Sequence, residues 1–174
     1  MVSGFIQRNK VILIIAVLVV IVGLSITFKM PLTDAQKFNE FQKNLTTINA
    51  PLSVGVKKFK ASYEMTLKTY GMRTVYVDAL GLNLAAQSAM KKIHTDLQVP
   101  SFKNQTAQAA VQNAHDLDVV YIKSLEAISK NVIILAQNSG FFAKVPPLTL
   151  PSTDKVMENM NAAYAALVKK PVKS

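Results

Sequence analysis

The sequence contains no cysteine and no tryptophan. Without cysteine, the chain has no disulfide, no thiolate metal site, no cysteine nucleophile and no cysteine-linked lipid anchor. Without tryptophan, any aromatic contact with a membrane interface has to come from tyrosine or phenylalanine. The chain must therefore be stabilised by a packed core or by a membrane, without disulfide or cysteine–metal cross-links.

The residue patterns of common catalytic sites are also missing. The ten acidic residues are scattered along the chain, and there are no paired carboxylates, nucleophile elbow, glycine-rich phosphate loop or Glu-x-x-His repeat. We therefore expect no enzymatic activity and no cofactor.

The two histidines do not predict a metal site. His115 and Asp118 are three residues apart on one helix face and could supply half of such a site. If the helices on either side of Pro100 are antiparallel, however, His94 should lie level with about residue 108, roughly 10 Å along the axis from His115. This separation is too large for one ion with ligand distances of about 2 Å. We interpret both histidines as surface residues.

Acidic residues are half as numerous as basic ones, which gives the chain a net charge of +10. This excess could attract anionic lipid, an acidic wall polymer or an acidic protein partner, or it could serve only to solvate helix faces. Nucleic acid is not an expected partner, because the chain has no arginine-rich arm and no basic-aromatic strand motif. The candidate contact group is Lys57, Lys58 and Lys60.

One long stretch lacks charge altogether. Residues 11–28 (VILIIAVLVVIVGLSITF) would form a helix of roughly 27 Å, close to the thickness of a thin bilayer. We predict a single transmembrane helix, with residues 1–10 as a short cytoplasmic tail because Arg8 and Lys10 precede the span without any acid. The domain that follows is predicted to be extracytoplasmic in the cell membrane, although lysines also follow the span.

A cleavable signal peptide is the alternative to an anchor. Its apolar core is normally about 7–15 residues long and ends at a small-x-small site. Here the small-x-small site at residues 23–25 would place the cut inside the apolar run, which favours an uncleaved anchor.

Residues 29–168 show helical periodicity and predict an all-α domain, an antiparallel bundle of about four helices. Apolar positions recur from about residue 33 to 70 and predict either one long helix kinked at Pro51 or two helices that meet there. A helix to about Gln98 follows, in which Gly81 is a candidate for close helix–helix contact. A last helix from about residue 152 leads into a disordered basic tail, residues 169–174.

The longest periodic segment is residues 103–137. Apolar residues recur there every three or four positions over five heptads, and we predict that this segment forms the central helix of the bundle. The predicted buried positions are Ala107, Ala110, Ala114, Leu117, Tyr121, Leu125, Ile128, Val132 and Leu135.

An irregular, apolar segment with three prolines occupies residues 141–151. Such loops either pack as a cap or carry function. Phe141 and Phe142 could plug one end of the bundle, or they could contact a protein partner or the membrane.

These observations predict a structural or interaction module, an accessory subunit of a membrane assembly with a protein partner in the envelope. Two alternatives stay open. One is an extracytoplasmic small-molecule sensor that works with a partner, and the other is a phage- or immunity-type inhibitor of an envelope protein.

Overall fold

The computed structural model of the chain describes residues 32–69, 72–139 and 146–168. Within these residues the structure contains four α-helices and no strand, which confirms the predicted all-α helical bundle. The helices are α1 (Asp34–Thr69), α2 (Arg73–Asp96), α3 (Gln105–Ser139) and α4 (Asp154–Val168).

Several predicted features lie outside the described residues: the tail 1–10, the span 11–28, Phe141, Phe142 and the tail 169–174. Among the helices that the structure describes, none combines the length and the apolar composition needed to cross a membrane. The anchor and the contacts of the two phenylalanines therefore stay predictions.

The helix α1 passes through Pro51 without a break over its 36 residues. Proline inside a helix removes one hydrogen bond and costs about 3 kcal/mol. Pro51 is exposed, whereas Ile48 and Leu52 on either side of it are buried. Packing of both flanks onto one core offsets the local cost, so the single-helix alternative is the correct one.

Hydrogen bonds between elements show the direction in which the first three helices run. The backbone N–H of Lys103 donates to Oδ2 of Asp34 at 2.8 Å, which places the start of α1 beside the loop that enters α3. Asn83, near the middle of α2, donates to the carbonyl of Glu126 at 3.2 Å and to Oγ of Ser129 at 3.1 Å. Consecutive helices therefore run in opposite directions, and α1 and α3 run the same way.

The end of α4 lies beside the start of α3, because Nδ2 of Asn104 donates to the carbonyl of Ala166 at 2.9 Å. The helix α4 has only 15 residues, whereas α3 has 35. The described segment before α4, residues 146–153, has no regular secondary structure, and we call it the strap. Tyr63 of α1 holds it, since Oη donates to the carbonyl of Pro146 and accepts from the N–H of Leu148, both at 2.9 Å.

The buried face of α3 is rotated by about one residue from the predicted stripe. Leu117, Tyr121 and Ile128 are only half-buried, whereas the polar residues Asp118 and Ser129 are fully buried. Apolar periodicity found only part of this face, because two of its central positions are polar: Ala107, Ala110, Ala114, Leu125 and Val132 are buried as predicted. The buried positions of α3 are Ala107, Ala110, Val111, Ala114, Asp118, Ile122, Leu125, Ser129, Val132 and Ala136.

The close helix–helix contact occurs at Gly55 and not at Gly81. A Cβ placed on Gly55 would lie 3.3 Å from Cδ1 and 3.5 Å from Cα of Leu82, so α1 and α2 approach closely there. A Cβ on Gly81 would meet nothing within 4 Å, and Gly81 is exposed. The prediction for Gly81 is therefore wrong, because the helix turns this residue outward.

Candidate functional site

A buried carboxylate forms the centre of the candidate site. Asp118 of α3 is 1% exposed, and both of its carboxylate oxygens accept a hydrogen bond from Nδ2 of Asn49 in α1, each at 2.9 Å. This contact forms because α1 and α3 run in the same direction and their middle turns lie level. No salt bridge among the described residues includes Asp118.

Burial raises the pKa of Asp118 above its ordinary value of 3.8. The hydrogen bond from Asn49 and the charge of His115 both act in the opposite direction, and they are the smaller effects. The carboxylate is therefore destabilised by loss of water more than it is stabilised by its protein neighbours.

The partner of Asp118 is itself incompletely bonded. Oδ1 of Asn49 is buried and accepts no hydrogen bond. An unsatisfied buried acceptor costs about 1–3 kcal/mol. A buried charge and an empty acceptor thus lie side by side in the middle of the bundle.

Both groups line an open-sided groove of about 370 Å³ between α1, α3 and the first turn of α4. Most of the lining is apolar, and threonine, serine and tyrosine side chains contribute hydroxyl groups. The residues from α1 are Leu45, Thr46, Asn49, Ala50, Leu52 and Ser53; Asp118 and Tyr121 come from α3, and Thr153, Val156 and Met157 complete the wall.

Tyr121 connects this groove to two further hollows. One, of about 380 Å³, lies between α3 and the start of α4, and the other, of about 560 Å³, lies between α1 and the strap. Burial raises the pKa of the Tyr121 phenol, and the negative charge of Asp118 raises it further. An aromatic ring and a carboxylate therefore influence one another at this junction.

His115 does not combine with Asp118 into half of a metal site. Its Nδ1 lies 3.0 Å from Oδ1 of Asp116, an exposed carboxylate on the outer side of α3. Within the part of the chain that the structure describes, no three histidine, cysteine or acidic residues lie close enough to hold a metal ion together. The groove therefore has one charged group of its own.

The predicted contact lysines lie together on one exposed stretch of α1. Lys57, Lys58 and Lys60 are all exposed, and Lys60 forms a surface ion pair with Glu64 at 4.0 Å. Lys60 also lines the hollow beside the strap. Their role in binding lipid or a partner stays a prediction.

The outer face of α2 is a second candidate surface. Val77, Leu80 and Leu84 recur there at spacings of three and four residues and are 58%, 37% and 66% exposed. Two turns further on, the exposed pair Lys91 and Lys92 follows. We call these five residues the α2 face.

The sequence patterns did not identify Asn49 and Asp118 as a buried pair, because polar residues were assigned to the surface. Asn49 directly follows the buried Ile48, and Asp118 stands four residues from both Ala114 and Ile122. The spacing of Asp118 from two buried neighbours is the signal that could have identified it.

Comparisons of the chain with protein-family models, with curated proteins and with solved structures find no match.

Proposed function

We propose that this chain is a membrane-anchored helical bundle that binds a small molecule in the groove around Asp118 and works with a protein partner in the envelope. One observation carries the proposal. A carboxylate that is 1% exposed lines an open groove and forms no salt bridge among the described residues.

Burial of such a carboxylate destabilises the folded state. Removing a charged group from water costs several kcal/mol, which two hydrogen bonds from one neutral amide compensate only in part. An asparagine or a leucine at this position would pack at lower cost. Groups whose pKa is shifted by burial and that line a cleft are typical of functional sites.

The anchor is supported by the eighteen uncharged residues at 11–28. We propose that they form a single span, with the N-terminus in the cytoplasm and the bundle outside. Protease treatment of intact cells or spheroplasts, with a tag at each terminus and a measurement of intact mass, tests this topology. A protected C-terminal tag would contradict the external location, and a mass lacking about the first 25 residues would indicate cleavage.

Binding in the groove can be tested on the full chain in nanodiscs by following helix melting with circular dichroism at a panel of small molecules. A ligand at 100 times its Kd adds about 2.7 kcal/mol of stability, a rise in Tm of roughly 5–11 °C for a domain of this size. Ala50→Phe would fill the groove, whereas Ala61→Phe places the same ring on an exposed part of α1 away from it. The proposal requires a ligand whose stabilisation is lost in the first variant and kept in the second.

A purely structural role as an interaction module is the second candidate, and the α2 face favours it. Three exposed apolar residues followed by two lysines fit an amphipathic partner helix with acidic residues at one end. The α2 face would then dock this partner while the anchor holds the bundle at the bilayer.

Photo-crosslinking from position 84 in cells that make the protein tests this second role. Docking predicts that one defined partner is crosslinked, through a segment that contains acidic residues. It also predicts that the crosslink is lost in the double variant Lys91→Glu, Lys92→Glu. A probe at Lys123, which is exposed on α3, is the matched control. Equal crosslinking from positions 84 and 123 would contradict a specific α2 face.

A further inference from the structure

We infer that the ligand of the groove is an organic cation, a primary ammonium group carried on a small apolar body. This inference rests on the proposed function, because it names the class of molecule that the groove binds. The cationic group would lie between Asp118 and Asn49, and the apolar body would contact the remaining lining residues.

The sign of the charge follows from the surroundings of Asp118. The groove contains one carboxylate, and no lysine or arginine lines it. A positive ligand supplies the counter-charge that no residue lining the groove provides, and the low dielectric of a buried site strengthens that attraction. An anionic ligand would be repelled by the same group.

The donor count distinguishes an ammonium from other cations. Each oxygen of Asp118 has a free lone pair after accepting from Asn49, and Oδ1 of Asn49 has no donor at all. An –NH₃⁺ group offers three N–H donors and can satisfy both residues at once. A metal ion would find a single charged ligand here, which is a poor donor set for any common divalent cation.

The remaining lining suits the carbon part of such a ligand. Leu45, Leu52, Val156 and Met157 offer apolar contact, and Tyr121 adds an aromatic ring next to the carboxylate. An ammonium near a tyrosine ring gains cation–π attraction in addition to the charge pair.

The experiment compares matched probes on the full chain in nanodiscs, with helix melting as the readout. 2-Phenylethylammonium is the cation, 2-phenylethanol is its neutral analogue and phenylacetate is the anion. Trimethyl(2-phenylethyl)ammonium keeps the charge but has no N–H donor. All probes are used at millimolar concentration and equal ionic strength, so that general screening is the same in each sample.

Two carboxylate variants identify the group responsible. Asp118→Asn removes the buried charge, and Asp116→Asn removes the neighbouring exposed one, which is hydrogen-bonded to His115. We expect the primary ammonium to stabilise the wild type and Asp116→Asn. We expect its affinity to fall by about 30-fold or more in Asp118→Asn, as for truncation of a buried charge pair.

The outcomes separate the ligand class from the proposed function. If the alcohol stabilises as strongly as the ammonium, and Asp118→Asn does not matter while Ala50→Phe does, the groove binds small molecules but not as a cation site. If no ammonium raises the Tm of the wild type, the inferred class is wrong. If the trimethylated cation binds as well as the primary ammonium, the assignment of Asn49 as an acceptor is overturned.

Discussion

Replacing each of two helical glycines by alanine tests how closely α1 and α2 approach. Gly55 lies in α1 with the side chain of Leu82 against it, whereas Gly81 lies on the exposed side of α2. Both residues are inside helices, so alanine brings the same intrinsic gain of about 1 kcal/mol at each position. Any difference between Gly55→Ala and Gly81→Ala therefore measures the space around the new methyl group.

The distances determine the expected size of that difference. At Gly81 nothing lies within 4 Å of the added Cβ, so the full gain should appear as a rise in Tm of roughly 2–4 °C. At Gly55 the new methyl would stand 3.3 Å from Cδ1 and 3.5 Å from Cα of Leu82. Overpacking of a close interface costs about 1–3 kcal/mol, which offsets part or all of the gain, depending on how far the Leu82 side chain can shift.

Chemical denaturation of the full chain in detergent, followed by circular dichroism, gives both free energies of unfolding. We expect Gly81→Ala to be more stable than the wild type, and Gly55→Ala to be less stable than Gly81→Ala by at least about 1 kcal/mol. Equal stabilisation in the two variants would refute the close approach of α1 to α2. Destabilisation by Gly81→Ala would refute the exposed position of that residue.

Three further substitutions test the contact between the start of α3 and the end of α4, the anchoring of the strap, and the buried charge of Asp118. Asn104→Ala removes the bond from the N–H of Ala107 and the bond to the carbonyl of Ala166, so the free energy of unfolding should fall by about 1–2 kcal/mol in denaturation experiments. Tyr63→Phe removes both bonds that hold the strap, so hydrogen exchange should accelerate in peptides from 146–153, and unchanged exchange would contradict the anchoring. Because folding raises the pKa of Asp118 above 3.8, its contribution to stability is most favourable below that pH and is lost as the pH rises through the folded value. The Tm of Asp118→Asn relative to the wild type should therefore increase from acid to neutral pH, and a constant difference would contradict the raised pKa.

The sequence was sufficient for the helices and their order because each has a long apolar periodicity. Ala107, Ala114 and Val132 of α3 are buried as predicted. The helix ends differ by a few residues, as at the start of α3, where Asn104 accepts from the N–H of Ala107 and caps the first turn. Local patterns thus predicted the elements well, because burial of an apolar face is the main reason why a helix packs.

The site could not be predicted because it depends on contacts between distant residues. Asn49 and Asp118 are 69 positions apart. The spacing of Asp118 from Ala114 and Ile122 could indicate that it is buried, but nothing in the sequence indicates that Asn49 is its partner. Pro51 was ambiguous for the same reason, since packing of its flanks and not local propensity decides whether the helix continues. The exposure of Gly81 likewise follows from the rotation of α2 about its axis relative to α1. Apolar periodicity predicts this rotation only approximately.

A second polar pair in the same bundle, formed by buried Ser129 and half-buried Asn83, shows why Asp118 is the functional candidate. Ser129 is 0% exposed, donates to the carbonyl of Glu126 and accepts from Asn83. Oδ1 of Asn83 accepts from Gln87. This second pair is neutral and fully bonded.

Substitution of the two buried residues should therefore have opposite effects on stability. Ser129→Ala loses satisfied hydrogen bonds and should reduce the free energy of unfolding by about 1 kcal/mol. Asp118→Asn removes a charge that its hydrogen bonds compensate only in part, and it should increase the free energy of unfolding at neutral pH, while ligand binding is lost. A gain in stability together with a loss of binding is the signature of a residue retained for function, because a structural residue shows neither. If both variants were destabilised alike, Asp118 and Ser129 would have the same structural role, and the groove would need no ligand.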